Sequence, residues 1–449
     1  MERKFTDFLL KWKESHRKEC LLVKGARQVG KTYIVEDFGK KHYESVISLN
    51  FFERPEHKEI FAGGLSAKDI LQKLSIHLPE FNFIENHTLL FLDEIQECPQ
   101  ARTALKFLAQ GSGFDCIASG SMLGVAYKEI ASIPVGYEYQ VEMFSMDFEE
   151  FLWAKGVNKD AIEYIKGFYS EKKKIPDDVN ETMFKYLREY MVVGGMPAVV
   201  KTFVETGNFV KVHELQQKIL SSYLDDIAKY ASAAEKPKAR NAFLSIPNQL
   251  AKENKKFQFS VIEKGGSARK YENSLEWLRD AGLIKFCVNV STPQFPIVAY
   301  SKKNWFKVYL MDIGMLTAMY GFEMKQAIIK NTLAGHAKGG IYENLIADIF
   351  VKKNIPLYFY KPENNAQEIE FLLTKETDII PVEVKSGNNA TVSLNRFLEE
   401  FAPPFGIKLI AGNAGFTENK VTLPLYMALF IAPAGVHELF VSVIAEKGG

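Results

Sequence analysis

The spacing of apolar residues along this chain changes several times, and each change marks an element. Phe5, Phe8, Leu9 and Trp12 fall at helical spacing within Phe5 to His16, and the run Cys20-Leu21-Leu22-Val23 that follows has the character of a buried strand. The pattern then predicts a helix from Tyr33 to Lys41 and a strand over Ser45-Val46-Ile47-Ser48-Leu49-Asn50-Phe51. An amphipathic helix is predicted from Ala67 to His77, and fully apolar strands over Thr88-Leu89-Leu90-Phe91-Leu92 and Cys116-Ile117-Ala118-Ser119. Strands alternating with helices imply a mostly parallel sheet with helices on both faces, because parallel neighbours need a crossover between them.

Downstream the pattern turns helical between Tyr186 and Tyr230. Two further helices, Ala239 to Glu253 and Ser267 to Ala281, precede strands at Leu283 to Val288 and Phe306 to Leu310; a helix pair followed by a hairpin is the layout of a winged helix. Ile341, Leu345, Ile346, Ile349 and Phe350 form the apolar stripe of a helix from Ile341 to Lys353, with Glu343 at its boundary. Glu368 to Leu373 and Ile380 to Lys385 alternate, which puts Val382 and Val384 on one face of a strand and Glu383 and Lys385 on the other. Thr391 to Phe401 reads as a helix and Ile407 to Ile410 as a strand. At 449 residues the chain exceeds one ordinary core. The expected class is α/β, with the parallel sheet in residues 1–155, a helical lid or connector in 156–234, a winged-helix-like domain in 235–325 and an α/β domain in 326–449.

Candidate chemistry enters at the turn after the first strand. Gly25-Ala26-Arg27-Gln28-Val29-Gly30-Lys31-Thr32 fits G-x-x-x-x-G-K-[ST] without a mismatch, between a strand and a helix as such a loop requires. Gly25 and Gly30 let the backbone wrap so that N–H groups face phosphate oxygens, Lys31 would reach the β and γ phosphates of ATP, and Thr32 offers a hydroxyl to Mg²⁺. The strand from Thr88 continues into Asp93 and Glu94. In an open α/β sheet the carboxyl ends of strands border the ligand crevice, so Asp93 is expected near the metal and Glu94 beside the attacking water. The plain alternative is a core strand capped by a solvated acidic turn. Ser119 and Ser121 fit either a γ-phosphate sensor or a serine-glycine turn. Arg102, shortly after the acidic strand, either faces the nucleotide or sits on a helix surface, and the surface is the favoured reading.

With Leu92-Asp93-Glu94-Ile95-Gln96-Glu97-Cys98-Pro99 and Ser119-Gly120-Ser121, the loop resembles the N-terminal domain of a family of prokaryotic AAA-type ATPases. Phe144-Ser145-Met146-Asp147-Phe148-Glu149-Glu150-Phe151-Leu152 and Val193-Gly194-Gly195-Met196-Pro197-Ala198-Val199 are similar to that family's connecting segments, and Tyr223, Asp225, Asp226, Ile227 and Tyr230 to its Y-x-x-D-I-type segment. The ordinary reading of the last is a packed helix with solvated carboxylates. Many family members carry a Gly-Arg pair where this chain reads Val135-Gly136-Tyr137. The resemblance implies a Mg²⁺-dependent ATPase, a homo-oligomer whose sites are completed by a neighbour's arginine, and a C-terminal domain of uncharacterised function resembling restriction endonucleases. An acid on one strand, E-x-K on the next and a Glu on a preceding helix resemble the metal site of such nucleases. Glu370 and Glu383 would share Mg²⁺, Lys385 would stabilise charge or help deprotonate water, and Glu343 would support the metal. A half-exposed hairpin with charged outer residues is the alternative. It would make the chain a nucleotide-gated binding module with an inactive nuclease-like domain.

Composition adds boundaries. The apolar fraction of 47% and charged fraction of 25% are those of a soluble globular protein, no apolar run is long enough to span a bilayer, and the charged N-terminus is unlike a signal peptide. A cytoplasmic protein without a membrane partner is expected. Cys20, Cys98, Cys116 and Cys287 lack metal or disulfide spacing and should pack as small hydrophobes. Fifty-six Lys and Arg balance 55 Asp and Glu, so DNA binding would rest on a local patch. The residues Lys236, Lys238, Arg240, Lys252, Lys255, Lys256, Lys264, Arg269 and Lys270 offer one, unless they form a solvated face or a protein contact.

Overall fold

The computed structural model describes residues 1–15, 19–80, 82–110, 113–121, 136–363, 367–387 and 391–432. Val135 lies outside them. The chain forms two compact units: Met1–Met146 with Asp225–Ser232 and Glu276–Leu283, and Asp147–Leu224 with Ala233–Leu275 and Ile284–Gly449. Among the described residues no helix is long and apolar enough to cross a membrane.

The first unit is built on five strands, β1 (Cys20–Lys24), β2 (Ser45–Asn50), β3 (Thr88–Asp93), β4 (Asp115–Gly120) and β5 (Glu138–Glu142), in the order β2-β3-β4-β1-β5. All four pairings are parallel, as the alternation with helices requires. The two-residue period of each strand divides the apolar residues between two faces. Leu90 and Leu92 of β3 join Ile70 and Leu74 of helix α3 (Ala67–His77) and Ala101, Ala104, Leu105 and Leu108 of helix α4 (Pro99–Ala109) in one core. Leu89 faces the other way, toward helix α2 (Lys31–His42). There Gly39 allows close packing, because a Cβ at that position would lie 3.0 Å from side-chain carbons of Leu89 and Val46. Each fully buried leucine in such a core contributes about 2 kcal/mol relative to exposure.

The second unit carries a mixed eight-stranded sheet, ordered β12-β13-β11-β10-β9-β8-β6-β7. The hairpin of β6 (Ile284–Val290) and β7 (Ser301–Leu310) is antiparallel, and β6 pairs in parallel with β8 (Tyr358–Tyr360). Then β9 (Ile369–Lys375), β10 (Asp378–Lys385), β11 (Gly406–Ile410), β13 (Lys420–Pro424) and β12 (Gly415–Phe416) complete the sheet. The helix Gly335–Lys352 is buried on every side from Gly340 to Val351, so Glu343 sits inside the unit rather than at an amphipathic boundary. In the same way β10 is buried on both faces from Ile379 to Val384, which excludes a half-exposed hairpin. All four cysteines are buried and free.

Arg102 corrects the sequence reading. It is 1% exposed and donates from Nη2 to Glu138 Oε1 on β5 at 2.6 Å, because the α4 face that carries Ala101 and Leu105 packs on the sheet and takes its neighbour with it. Breaking a buried ion pair from one side is costly, so Glu138→Ala should cost about 3 kcal/mol in urea unfolding. The double change Arg102→Met with Glu138→Leu, which removes both charges, should unfold closer to the unmodified protein.

Candidate functional site

The loop between β1 and α2 owes its path to two glycines. Gly25 has φ +154°, and a Cβ there would lie 2.2 Å from the carbonyl oxygen of Met143; Gly30, at φ +95°, caps α2 in the left-handed region. Gln28 also has positive φ. The loop is held from outside: Arg3 donates to Val29 O at 3.1 Å and to Phe144 O at 2.8 Å. The turn at Gly282 comes close enough that a Cβ there would sit 3.2 Å from Ala26 N.

Lys31 lies at the start of α2, 5% exposed, with Nζ donating to Gly25 O at 2.9 Å and Ala26 O at 2.8 Å. Burial lowers its pKa to about 8, against the opposing pull of Glu94 and Asp93. The ammonium is thus held by neutral carbonyls inside the loop, the kind of partner a phosphate oxygen can displace.

Asp93 ends β3 and is 1% exposed. Thr32 Oγ1 donates to its Oδ2 at 2.8 Å and Asn50 Nδ2 to the same oxygen at 3.0 Å, while Ser119 Oγ donates to Oδ1. The topology explains the meeting: β4 lies between β1 and β3, so Ser119 at its end stands between the loop and the acid. Burial raises the Asp93 pKa although Ser119 and Thr32 stabilise the anion. Glu94, at φ +51°, turns the chain out of the strand; Ser121 Oγ donates to its Oε2 at 3.0 Å, and Gln96 donates to the same oxygen. Asp93 and Glu94 are therefore not a solvated acidic cap.

Sequence reasoning gave no role to Asn50, Gln96, Arg3 and Gly282. Asn50 and Gln96 each stand beside an element already singled out, and their polarity at a strand end or tight turn was the available signal. Asp226 is 4% exposed and accepts from Arg27 Nη1 at 2.6 Å, so the carboxylates of this helix are not both solvated.

The second unit gathers another set of charges. Val382 faces Phe371 across the antiparallel β9-β10 pair, and one step further along that register places Glu383 opposite Glu370. Lys385, two residues on, reaches Glu383 at 3.2 Å and Glu370 at 3.4 Å, while Val384 N donates to Glu370 at 3.2 Å. Burial raises Glu370 to about 7 and also raises Glu383. Oε2 of Glu383 is buried without a hydrogen-bond partner. Two hard carboxylates and a lysine, one oxygen orphaned, suit an oxygen-binding cation such as Mg²⁺. Glu343 is placed differently: it pairs with Lys255 at 2.9 Å and Lys307 at 3.1 Å and accepts from Tyr309 at 3.0 Å. Among the described residues no three His, Cys, Asp or Glu side chains converge as a metal-holding group. Lys307, fully buried between Glu343 and Glu368, and Lys408, on β11 in register with Glu383 of β10, also went unnoticed; a lone lysine in an apolar strand was the signal. Of the basic cluster, Lys255 turns inward to Glu343, and Lys238 and Lys270 pair with Glu235 and Glu263. The surface patch is accordingly smaller than its sequence suggests.

Residues 17–152 match the family model of an AAA domain. This AAA match coincides with the parallel sheet and supports a P-loop ATPase that binds nucleotide. Residues 184–326 and 338–428 match two models described as domains of unknown function, DUF8612 and DUF4143. An uncharacterized protein of Methanocaldococcus jannaschii is 27% identical over 379 residues, covering 79% of this chain and 72% of that one. Among solved structures, a Walker-type ATPase of Pyrococcus abyssi is 14% identical at a TM-score of 0.42, over 71% of this chain and 95% of that one. The Orc1 protein of Aeropyrum pernix in complex with DNA is 12% identical at 0.29, over 73% and 92%.

The glycine geometry gives a direct check on the loop. Gly25→Ala forces a methyl into the Met143 carbonyl, so it should lower stability by about 1 to 3 kcal/mol and abolish tight nucleotide binding. Thermal unfolding and titration with a fluorescent ATP analogue would measure the two effects.

Proposed function

We propose that the first unit binds ATP with Mg²⁺ and hydrolyses it. The observation that carries this reading is the 2.8 Å hydrogen bond from Thr32 to Asp93 at the end of the glycine loop, with Glu94 next in the chain and held by Ser121. A hydroxyl and a carboxylate meeting there form the hard-oxygen pair that a phosphate-bound Mg²⁺ uses. Thr32 and Asp93 would hold the ion, which when bound supplies positive charge to the β and γ oxygens. The amides from Ala26 to Thr32 line the phosphates, and Lys31 exchanges its two carbonyl partners for phosphate oxygens. Glu94 accepts a proton from the water whose oxygen attacks the γ phosphorus, while the bond from that phosphorus to the bridging oxygen breaks and ADP leaves with the electron pair. Ser119 and Ser121 fix the two carboxylates and stand where a γ phosphate would be sensed.

For the second unit, the reading is a phosphodiester-cleaving centre on Glu370, Glu383 and Lys385, acting on DNA and driven or gated by ATP turnover. It is favoured by the orphaned Glu383 oxygen beside Glu370. Glu370 and Glu383 would share Mg²⁺, with Glu343 as a buried counter-charge to Lys307 rather than a ligand. Its rival is a nucleotide-gated module without cleavage.

Lys31→Ala should weaken ATP binding on the order of a hundredfold, by loss of one phosphate-directed charge. Glu94→Gln should keep ATP binding while turnover falls by on the order of a hundredfold or more. Unchanged phosphate release in both variants would sink the ATPase assignment. Plasmid or single-stranded DNA incubated with the protein, Mg²⁺ and ATP should be cut, and Glu383→Ala should not cut it. No cutting by the unmodified chain selects the binding-module reading.

A further inference from the structure

The phosphate loop and the turn that carries Glu94 are both tied to one helix end. Arg27, inside the loop, makes a 2.6 Å ion pair with Asp226, and Asp226 is buried. One helical turn further on, Tyr230 donates to Glu97 at 2.8 Å and Lys229 approaches the same carboxylate at 3.5 Å. Glu97 closes the short helical turn Ile95–Glu97 that starts at Glu94. The gap between these two anchored segments is where the attacking water and the γ phosphate must align in the ATPase reading.

We propose that Asp226 is a positioning residue for ATP hydrolysis, fixing Arg27 and, together with Tyr230 on Glu97, setting the phosphate loop and Glu94 in register. The inference rests on that reading. It concerns a residue outside the matched AAA segment. A carboxylate so close to the loop adds repulsion toward Glu94 and toward an incoming triphosphate, so nucleotide affinity alone gives no reason for its presence. Holding Arg27 in one rotamer does. A misplacement on the order of 1 Å costs up to a hundredfold in rate without any loss of folding.

The same geometry gives a readout that a purely structural contact would lack. Burial raises Asp226 to about 6, with Arg27 and Lys229 opposing the shift and Glu94 and Asp225 adding to it. Its raised pKa means that the link is complete above pH 6 and is lost as pH falls through that value. Turnover of the unmodified chain should fall there more steeply than that of Asp226→Asn.

The test measures kcat and KM for ATP, scaled to nucleotide-binding sites, from pH 5 to 8. Asp226→Asn should lower kcat about tenfold with KM changed by less than about threefold. Asp226→Glu should recover most of the rate. Tyr230→Phe should lower kcat through the Glu97 link, and the double variant should fall short of the product of the two losses. If Asp226→Asn unfolds, the Asp226→Glu and Tyr230→Phe pair still decides the matter. Full turnover in Asp226→Asn, or a loss confined to KM or to the melting temperature, overturns the inference alone. Absence of Lys31-dependent turnover in the unmodified chain overturns the hydrolysis reading, and this inference with it.

Discussion

The first unit depends on one buried anion. Asp93 sits at the end of a strand that is apolar along its length, where an unsatisfied carboxylate would cost several kcal/mol, on the order of the whole stability margin of a domain. Its two oxygens take hydrogen bonds from Asn50 at the end of β2, Thr32 in α2 and Ser119 near the end of β4. Three elements distant in sequence are thereby fixed at the carboxyl edge of the sheet. All three donors are neutral, so the acid is held without being neutralised, and its charge remains for a cation.

The second unit meets the same constraint by a different route. Its acids are set against lysines: Lys307, fully buried, lies between Glu343 and Glu368, and Lys385, partly exposed, between Glu370 and Glu383. Burial works against the charge of Glu368, yet Lys307 and Lys361 hold its pKa down to about 2, while Glu370 two residues away rises to about 7. Carboxyls only two residues apart therefore carry opposite protonation tendencies. The difference comes from cation geometry rather than from depth of burial alone.

How much of this was legible depended on whether the signal was local. The glycine loop, the strand ending in Asp93 and the helix Ala67–His77 were readable because their patterns lie within a few residues. Arg102 was misread as exposed because helical periodicity places a long side chain near a boundary without revealing that Glu138, thirty-six residues on, lies under it. The joining of β6 to β8 has no local signature either, since pairing partners some seventy residues apart share only their apolar character. Asp226 and Arg27 are separated by 199 positions, and composition alone cannot match two charges across that distance. The E-x-K strand was located, but its burial on both faces was hidden, because alternation announces two faces and not what covers the second.

Glu94 stands in the left-handed region, where a side chain other than glycine, asparagine or aspartate is uncommon. A glycine at this position would ease the backbone and delete the carboxylate, whereas a β-branched residue would resist the turn itself. Relaxed fold and retained chemistry therefore lie along different mutational directions from the same codon. A descendant that abandons hydrolysis has a simple route open, toward a more comfortable turn, and regaining the acid afterwards would mean restoring the strain. Loss of turnover in such a lineage would tend to be one-way, leaving a stable nucleotide-binding fold as its trace.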